Sequence, residues 1–243
     1  MNRSVKLVLD ILMGAVVPIF ILNQLTGPLG APLAYLVAAL VPVGWVLLDL
    51  LVLTRQFNAI TAVAGLIALG NGVLAFWFVD GVLFAIKDTV GLLLYIALLA
   101  GSVAIGRPFL RPLFAQAVGA LTPEKRHQLD PLLHERSVAR ALTLGTLAVA
   151  AATALAAIAN VFLNLNTVTA SFGTEAFNQQ VAQVNAITRI TFPLVTAGAL
   201  GLALWVIYRA VFAQLPLPEG QAWHEADIWE LLKQRELEKA QQP

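Results

Sequence analysis

The chain is 243 residues long, 59% of them hydrophobic and only 12% charged, with a formal net charge of +1 and no cysteine. Soluble domains carry about 25% charged residues, so composition excludes an ordinary water-soluble globule, and nothing in the charge balance points to nucleic acid. The lack of cysteine excludes disulfides, thiolate metal sites, iron–sulfur clusters and a cysteine nucleophile.

A helix crossing ~30 Å of hydrocarbon needs roughly 20 mainly apolar residues. Six stretches meet this, at about residues 5–22, 32–53, 59–79, 89–105, 138–163 and 190–212. The first follows a basic start but is interrupted by Asp10 and Pro18, and no small-x-small site follows at residues 23–26; it reads as a retained helix rather than a signal peptide. Thr26-Gly27-Pro28 turns the chain into the second stretch. Thr54-Arg55-Gln56 places a charge between the second and third. The fourth is the shortest, and residues 80–88 either extend it or lie in the interface. Gly106-Arg107-Pro108 ends it, because glycine permits a helix stop and proline cannot continue the hydrogen-bond ladder.

Residues 107–137 are more than a linker. Phe109, Leu110, Leu113, Phe114, Ala117, Val118 and Leu121 recur on one helix face, flanked by Arg107 and Arg111. The pattern predicts an amphipathic helix, either lying in the membrane interface or packed on the underside of the bundle. Asp130-Pro131 has the form of an N-cap followed by proline at the first helical position, predicting a helix that runs on into the fifth stretch. Ala148, Ala152 and Ala156 let a neighbouring helix approach that stretch closely. Residues 164–188, rich in Asn, Gln, Thr and Ser, read as a solvated loop or a neutral polar cap. Residues 214–243 form a charged tail with a helix at about 222–240, its Trp223 and Trp229 placed at headgroup level.

Basic residues set the orientation. Of the 15 lysines and arginines, 13 fall at the N-terminus, between the second and third stretches, between the fourth and fifth, and after the sixth, counting Lys6, Arg140 and Arg209, which stand just inside the ends of the first, fifth and sixth stretches. Lys87 and Arg189 alone fall on the opposite face. The expectation is an all-α bundle of six transmembrane helices over residues 1–213, both termini cytoplasmic, with a cytoplasmic amphipathic helix between the fourth and fifth spans and a cytoplasmic tail helix.

Ionisable and amide groups within a bilayer are costly and mark candidate sites. Asp10 and Asp49 fall at similar depths near the cytoplasmic ends of the first two spans. They form either a proton or cation site or a pair of interfacial carboxylates bound to basic neighbours such as Arg55 or Arg107. Asn71, between Gly70 and Gly72, and Asn160 lie within spans and read as interhelical hydrogen bonders or as the lining of a small pocket. Lys87 and Arg189 either pair with Asp80, Asp88 or Glu175, tying helices together, or bind an anion at the external mouth. His127, His134 and His224 all lie outside the spans, which excludes bis-histidine haem in the bilayer. There is no HExxH, GxSxG, P-loop or dinucleotide motif. No catalytic residue, cofactor or metal is expected.

Asp10 and Pro18 in the first stretch, Lys87-Asp88 before the fourth and Gly106-Arg107-Pro108-Phe109-Leu110 after it resemble a family of uncharacterised bacterial integral membrane proteins distantly related to intracellular septation protein A. The likeness covers about residues 6–118. It implies a bacterial inner-membrane location and no established catalytic residues. Two functions remain open. One is a non-enzymatic, envelope-related or accessory component acting through membrane-protein partners or as a homo-oligomer in the lipid bilayer. The other is a small transporter or lipid-handling protein with polar groups lining a cavity.

Overall fold

The computed structural model describes residues 3–53, 59–119, 122–217 and 226–241, and every regular element among them is helical. Thr54-Arg55-Gln56, Leu121, Trp223 and His224 lie outside the described residues. The Ala31–Leu53 stretch, Gly81–Ala104, Arg136–Thr167 and Glu175–Phe212 are each long and apolar enough to cross a membrane; Val8–Gln24 and Gly65–Ala75 are shorter apolar helices. Large apolar side chains point outward along these helices, with Leu155, Phe162 and Leu194 each about two-thirds exposed. Water would penalise that surface, whereas acyl chains do not. The architecture is that of a membrane protein.

The chain divides into two compact units. Unit 1 comprises Met1–Ala97 with Ala152–Thr196, and unit 2 comprises Leu98–Ala151 with Ala197–Pro243.

Unit 1 begins with α1 (Arg3–Ile11), a π-helical turn (Leu12–Val16) and α2 (Val17–Gln24). The wide turn has a local cause. Val17 N–H bonds back to the Leu12 carbonyl, five residues earlier, and Pro18 has no N–H to offer Gly14, four residues earlier. A short α3 (Thr26–Leu29) leads to Gly30, whose φ of 77° is open to glycine. α4 (Ala31–Leu48) continues into a second π-helical turn (Asp49–Leu53), and α5 (Ala59–Ala75) follows. α6 (Gly81–Ala104) includes residues 81–88, so Lys87 and Asp88 are helical. α9 (Arg136–Thr167) and α10 (Glu175–Phe212) supply the rest. At 1.5 Å per residue, the 38 residues of α10 span about 57 Å, too long to lie wholly in ~30 Å of hydrocarbon.

The core of unit 1 is aromatic. Phe84 and Phe177 are fully buried, their ring centroids 5.1 Å apart, and Tyr35 lies 5.8 Å from Phe177 and 6.4 Å from Phe84. Residues 164–188 are mostly helix, in place of the expected loop or cap. Asn178 is fully buried and donates to Thr26 Oγ1 at 3.0 Å and to the Ala31 carbonyl at 2.9 Å. Asn164 and Asn178, whose polarity suggested solvent, instead donate to partners far away in the chain.

In unit 2, α6 ends in a Schellman turn: Gly106 N–H bonds to the Val103 carbonyl and Arg107 N–H to that of Ser102, with Gly106 at φ 71°. α7 (Leu110–Ala117) buries Leu110 and Phe114 completely, and Phe114 meets the Tyr208 ring edge-on at 4.9 Å. Of the two readings of this amphipathic segment, the structure favours packing on the bundle. A side chain at Gly145 would press on Leu110 and Ala203, so glycine is what lets these helices close. α8 (Pro123–Leu133) begins at Thr122, whose hydroxyl caps Lys125 N–H, with Pro123 in the first turn. Asp130-Pro131 therefore lies inside α8, contrary to the expected helix start. The same cap-and-proline chemistry stands eight residues earlier, and the Asp130 carboxylate is taken by Arg111 at 2.7 Å. α11 (Ile228–Gln241) is pinned by Trp229 Nε1–H to the Val118 carbonyl and by Arg235 to Glu135 at 2.7 Å. The Lys125 ammonium lies over the Trp229 ring, 4.6 Å from its centroid.

Candidate functional site

The candidate polar residues fall into two groups. Asp10 and Asp49 form the first. Lys6 bridges them, with Nζ 2.7 Å from Asp49 and 3.5 Å from Asp10, and Trp45 Nε1–H donates to Asp10 at 2.8 Å. Of the expected partners, Arg55 lies outside the described residues; the partner seen among them, Lys6, lies one helical turn before Asp10. A partly exposed bridge of this kind contributes little. Lys6→Met is expected to change thermal stability in detergent by no more than about 1 kcal/mol, and to leave any ligand affinity of the second group as it was.

The second group surrounds a cavity of about 510 Å³ inside unit 1, lined by α4, α5, α6, α9 and α10. Asn71, Lys87, Asp88, Asn160 and Arg189 all reach it, although they are spread over 119 positions of sequence. Asp10, Asp49 and Arg107 do not line it. Its volume lies in the range of small-molecule sites.

Each polar group has a defined place. Lys87 is 5% exposed; its ammonium donates to the Trp77 carbonyl and sits 4.9 Å over the Tyr35 ring and 5.8 Å from that of Phe84. Ring faces offset part of the cost of burying a cation. The Arg189 guanidinium donates through Nη1 to the Gly14 carbonyl and through Nε to Asn185 Oδ1 at 3.2 Å. It thus occupies the acceptor that Pro18 leaves without an α-helical donor. Asp88 receives Asn160 Nδ2–H and Asn164 Nδ2–H on one oxygen, each at 3.0 Å. Asn160 also bonds Thr89 Oγ1 at 3.0 Å. The Asn71 amide rests 3.2 Å from where a side chain on Gly91 would begin, so Gly91 makes room for it. Pro42 and Pro193 line the same space; each leaves a carbonyl four residues earlier without its usual donor.

The expected ion pairs of Lys87 and Arg189 with Asp80, Asp88 or Glu175 do not form. Asp80 accepts from Phe172 N–H, Glu175 from Gln179, and Asp88 from the two asparagines. Among the described residues neither cation pairs with a carboxylate. A smaller cavity of about 60 Å³ between α2, α4, α6 and α10 shares Tyr35, Asp88, Asn185 and Arg189 with the larger one.

Sequence reasoning passed over Tyr35, Asn164 and Asn185. Two of these carried a local signal. Asn164 stands four residues after Asn160, and Asn185 four before Arg189, the spacing that puts both on one helix face. Tyr35 carried none. No protein-family model, curated protein or solved structure matches the chain.

Proposed function

We propose that the protein is a small transporter or lipid-handling protein of a bacterial inner membrane, with six spans and both termini cytoplasmic, whose cavity in unit 1 receives a ligand bearing an anionic group. The observation that carries this reading is the pair Lys87 and Arg189 in one cavity, neither in ion-pair contact with a carboxylate among the described residues. Buried cations normally have such a partner, because desolvation of an unpaired charge is costly. An intramembrane cation without one is suited to an anion that comes and goes. Pro42, Val43, Ile67 and Phe192 supply apolar walls for the rest of the ligand. The asymmetry of the basic residues supports the orientation, which puts Lys87 and Arg189 in the outer half of the membrane. The resemblance to relatives of intracellular septation protein A supports the bacterial location.

The alternative, an envelope accessory acting through partners, was motivated by the apolar face at residues 108–121 and by the charged tail. Leu110 and Phe114 are buried within unit 2, and the tail helix is tied down by Trp229 and Arg235. That motivation is correspondingly weaker.

Proteoliposomes containing the protein test the reading. Labelled octanoate uptake and flipping of fluorescent phosphatidylglycerol are measured side by side. The protein is expected to accelerate one of them, and Lys87→Met is expected to abolish that acceleration. Rates equal to empty liposomes in both assays would overturn it.

A further inference from the structure

Charge within the cavity goes beyond anion recognition. Lys87 and Arg189 contribute two positive charges and Asp88 one negative, so the empty site has a formal charge of +1. Asp88 is not a counter-ion in contact with either cation. Asn160 and Asn164, from adjacent turns of α9, both donate to its Oδ2 and hold the carboxylate in place. Its Oδ1 has no hydrogen-bond donor among the described residues, nor do two of the Lys87 ammonium hydrogens and Arg189 Nη2 have acceptors there.

We infer that Asp88 is the charge-selecting residue of this cavity, which takes one singly charged anionic group, a carboxylate or a phosphodiester, joined to an apolar body. The inference rests on the anion-cavity reading and sharpens it. A monoanion brings the site to neutrality, with its oxygens on the free donors of Lys87 and Arg189. A dianion would leave one negative charge unmatched beside the Asp88 carboxylate, where like charges repel. An uncharged or zwitterionic ligand would leave the excess positive charge in place. Asp88→Asn keeps the shape and an acceptor for the two asparagines but raises the formal charge of the site to +2. The variant is then matched to a dianion.

The test uses two pairs of probes at pH 8, each pair sharing one apolar body. Octanoate against octyl phosphate represents a soluble source; dioctanoyl phosphatidylglycerol against dioctanoyl phosphatidic acid represents a lipid source. Binding to the full-length protein in neutral detergent is followed by calorimetry. The wild type is expected to prefer the monoanion in at least one pair by roughly tenfold or more, and Asp88→Asn to reverse that preference by a similar factor. The pair that binds identifies the source. Equal affinity for mono- and dianion, unchanged by Asp88→Asn, would overturn the charge selection while leaving an anion site. Binding of none of the four probes, or dioctanoyl phosphatidylcholine binding as well as the glycerol lipid, would overturn the anion-cavity reading itself. A circular-dichroism melt of Asp88→Asn matching the wild type confirms that the variant is folded.

Discussion

Arg189→Ala is expected to weaken binding of a monoanionic amphiphile by about 10- to 100-fold and to destabilise the protein at the same time. The binding loss follows from removal of a charged donor, since a hydrogen bond to a charged group is worth roughly 1.5–3 kcal/mol. The stability loss has a separate origin. Arg189 Nη1 donates to the Gly14 carbonyl at the π-helical turn, where Pro18 cannot. Truncation leaves that carbonyl without the arginine donor in apolar surroundings, at a cost of about 1–3 kcal/mol. Arg189→Lys separates the two effects. It keeps the charge, but a single ammonium lacks the fork that reaches Gly14 and Asn185 together. Lysine is expected to recover affinity to within roughly tenfold of wild type while leaving much of the stability loss. A second check is Pro18→Ala, which restores an N–H four residues after Gly14. In that background Arg189→Ala should cost less stability than in the wild type, a coupling that a double-mutant cycle in thermal unfolding reads directly. Additive effects would show that Arg189 does not serve the helix break, and wild-type affinity in Arg189→Ala would remove it from the ligand site.

The parts of this fold that were legible in the sequence are those decided locally. The Gly106-Arg107-Pro108 stop needs only the few carbonyls of its own helix end, and its Schellman turn forms where the tripeptide stands. Hydropathy located the long helices for the same reason, because each span satisfies its own backbone. Asp130-Pro131 shows the limit of local rules: the motif is chemically competent as a cap, but Thr122-Pro123 performs that role earlier in the segment. Residues 164–188 failed for a different reason. Their polar composition suggests water, yet Asn164 and Asn178 are buried against partners on other helices, Asn178 reaching a hydroxyl 152 positions away. The site divides along the same line. Lys87, Asp88, Asn71, Asn160 and Arg189 stood out singly as polar groups in apolar stretches, and so did Asp10 and Asp49. Only three-dimensional packing separates the five that share a cavity from the two that Lys6 bridges.

The packing beneath that cavity leads to the second large effect. Phe177→Ala is expected to destabilise the protein by about 3–5 kcal/mol, the range for removing a fully buried phenylalanine. Its ring contacts Tyr35, Phe84 and Phe172 at centroid distances of 5.8, 5.1 and 5.4 Å. A neighbouring helix cannot collapse easily into the space, because Asn178, the next residue, is fixed to Thr26 and Ala31. Phe177→Leu keeps much of the volume and loses the edge-to-face geometry, so it should cost clearly less, with the ring term itself worth about 0.5–1.5 kcal/mol. The consequence for the site runs through Tyr35, whose ring lies under the Lys87 ammonium. A loosened Tyr35 holds Lys87 less firmly, so Phe177→Leu should weaken binding of the preferred monoanion by a few-fold without altering the mono- to dianion preference set by Asp88. Thermal unfolding and calorimetry on the same detergent-solubilised variants measure both. A Phe177→Ala variant as stable as wild type would mean that the aromatic cluster does not hold unit 1 together. A changed charge preference in Phe177→Leu would mean that Asp88 does not set it alone.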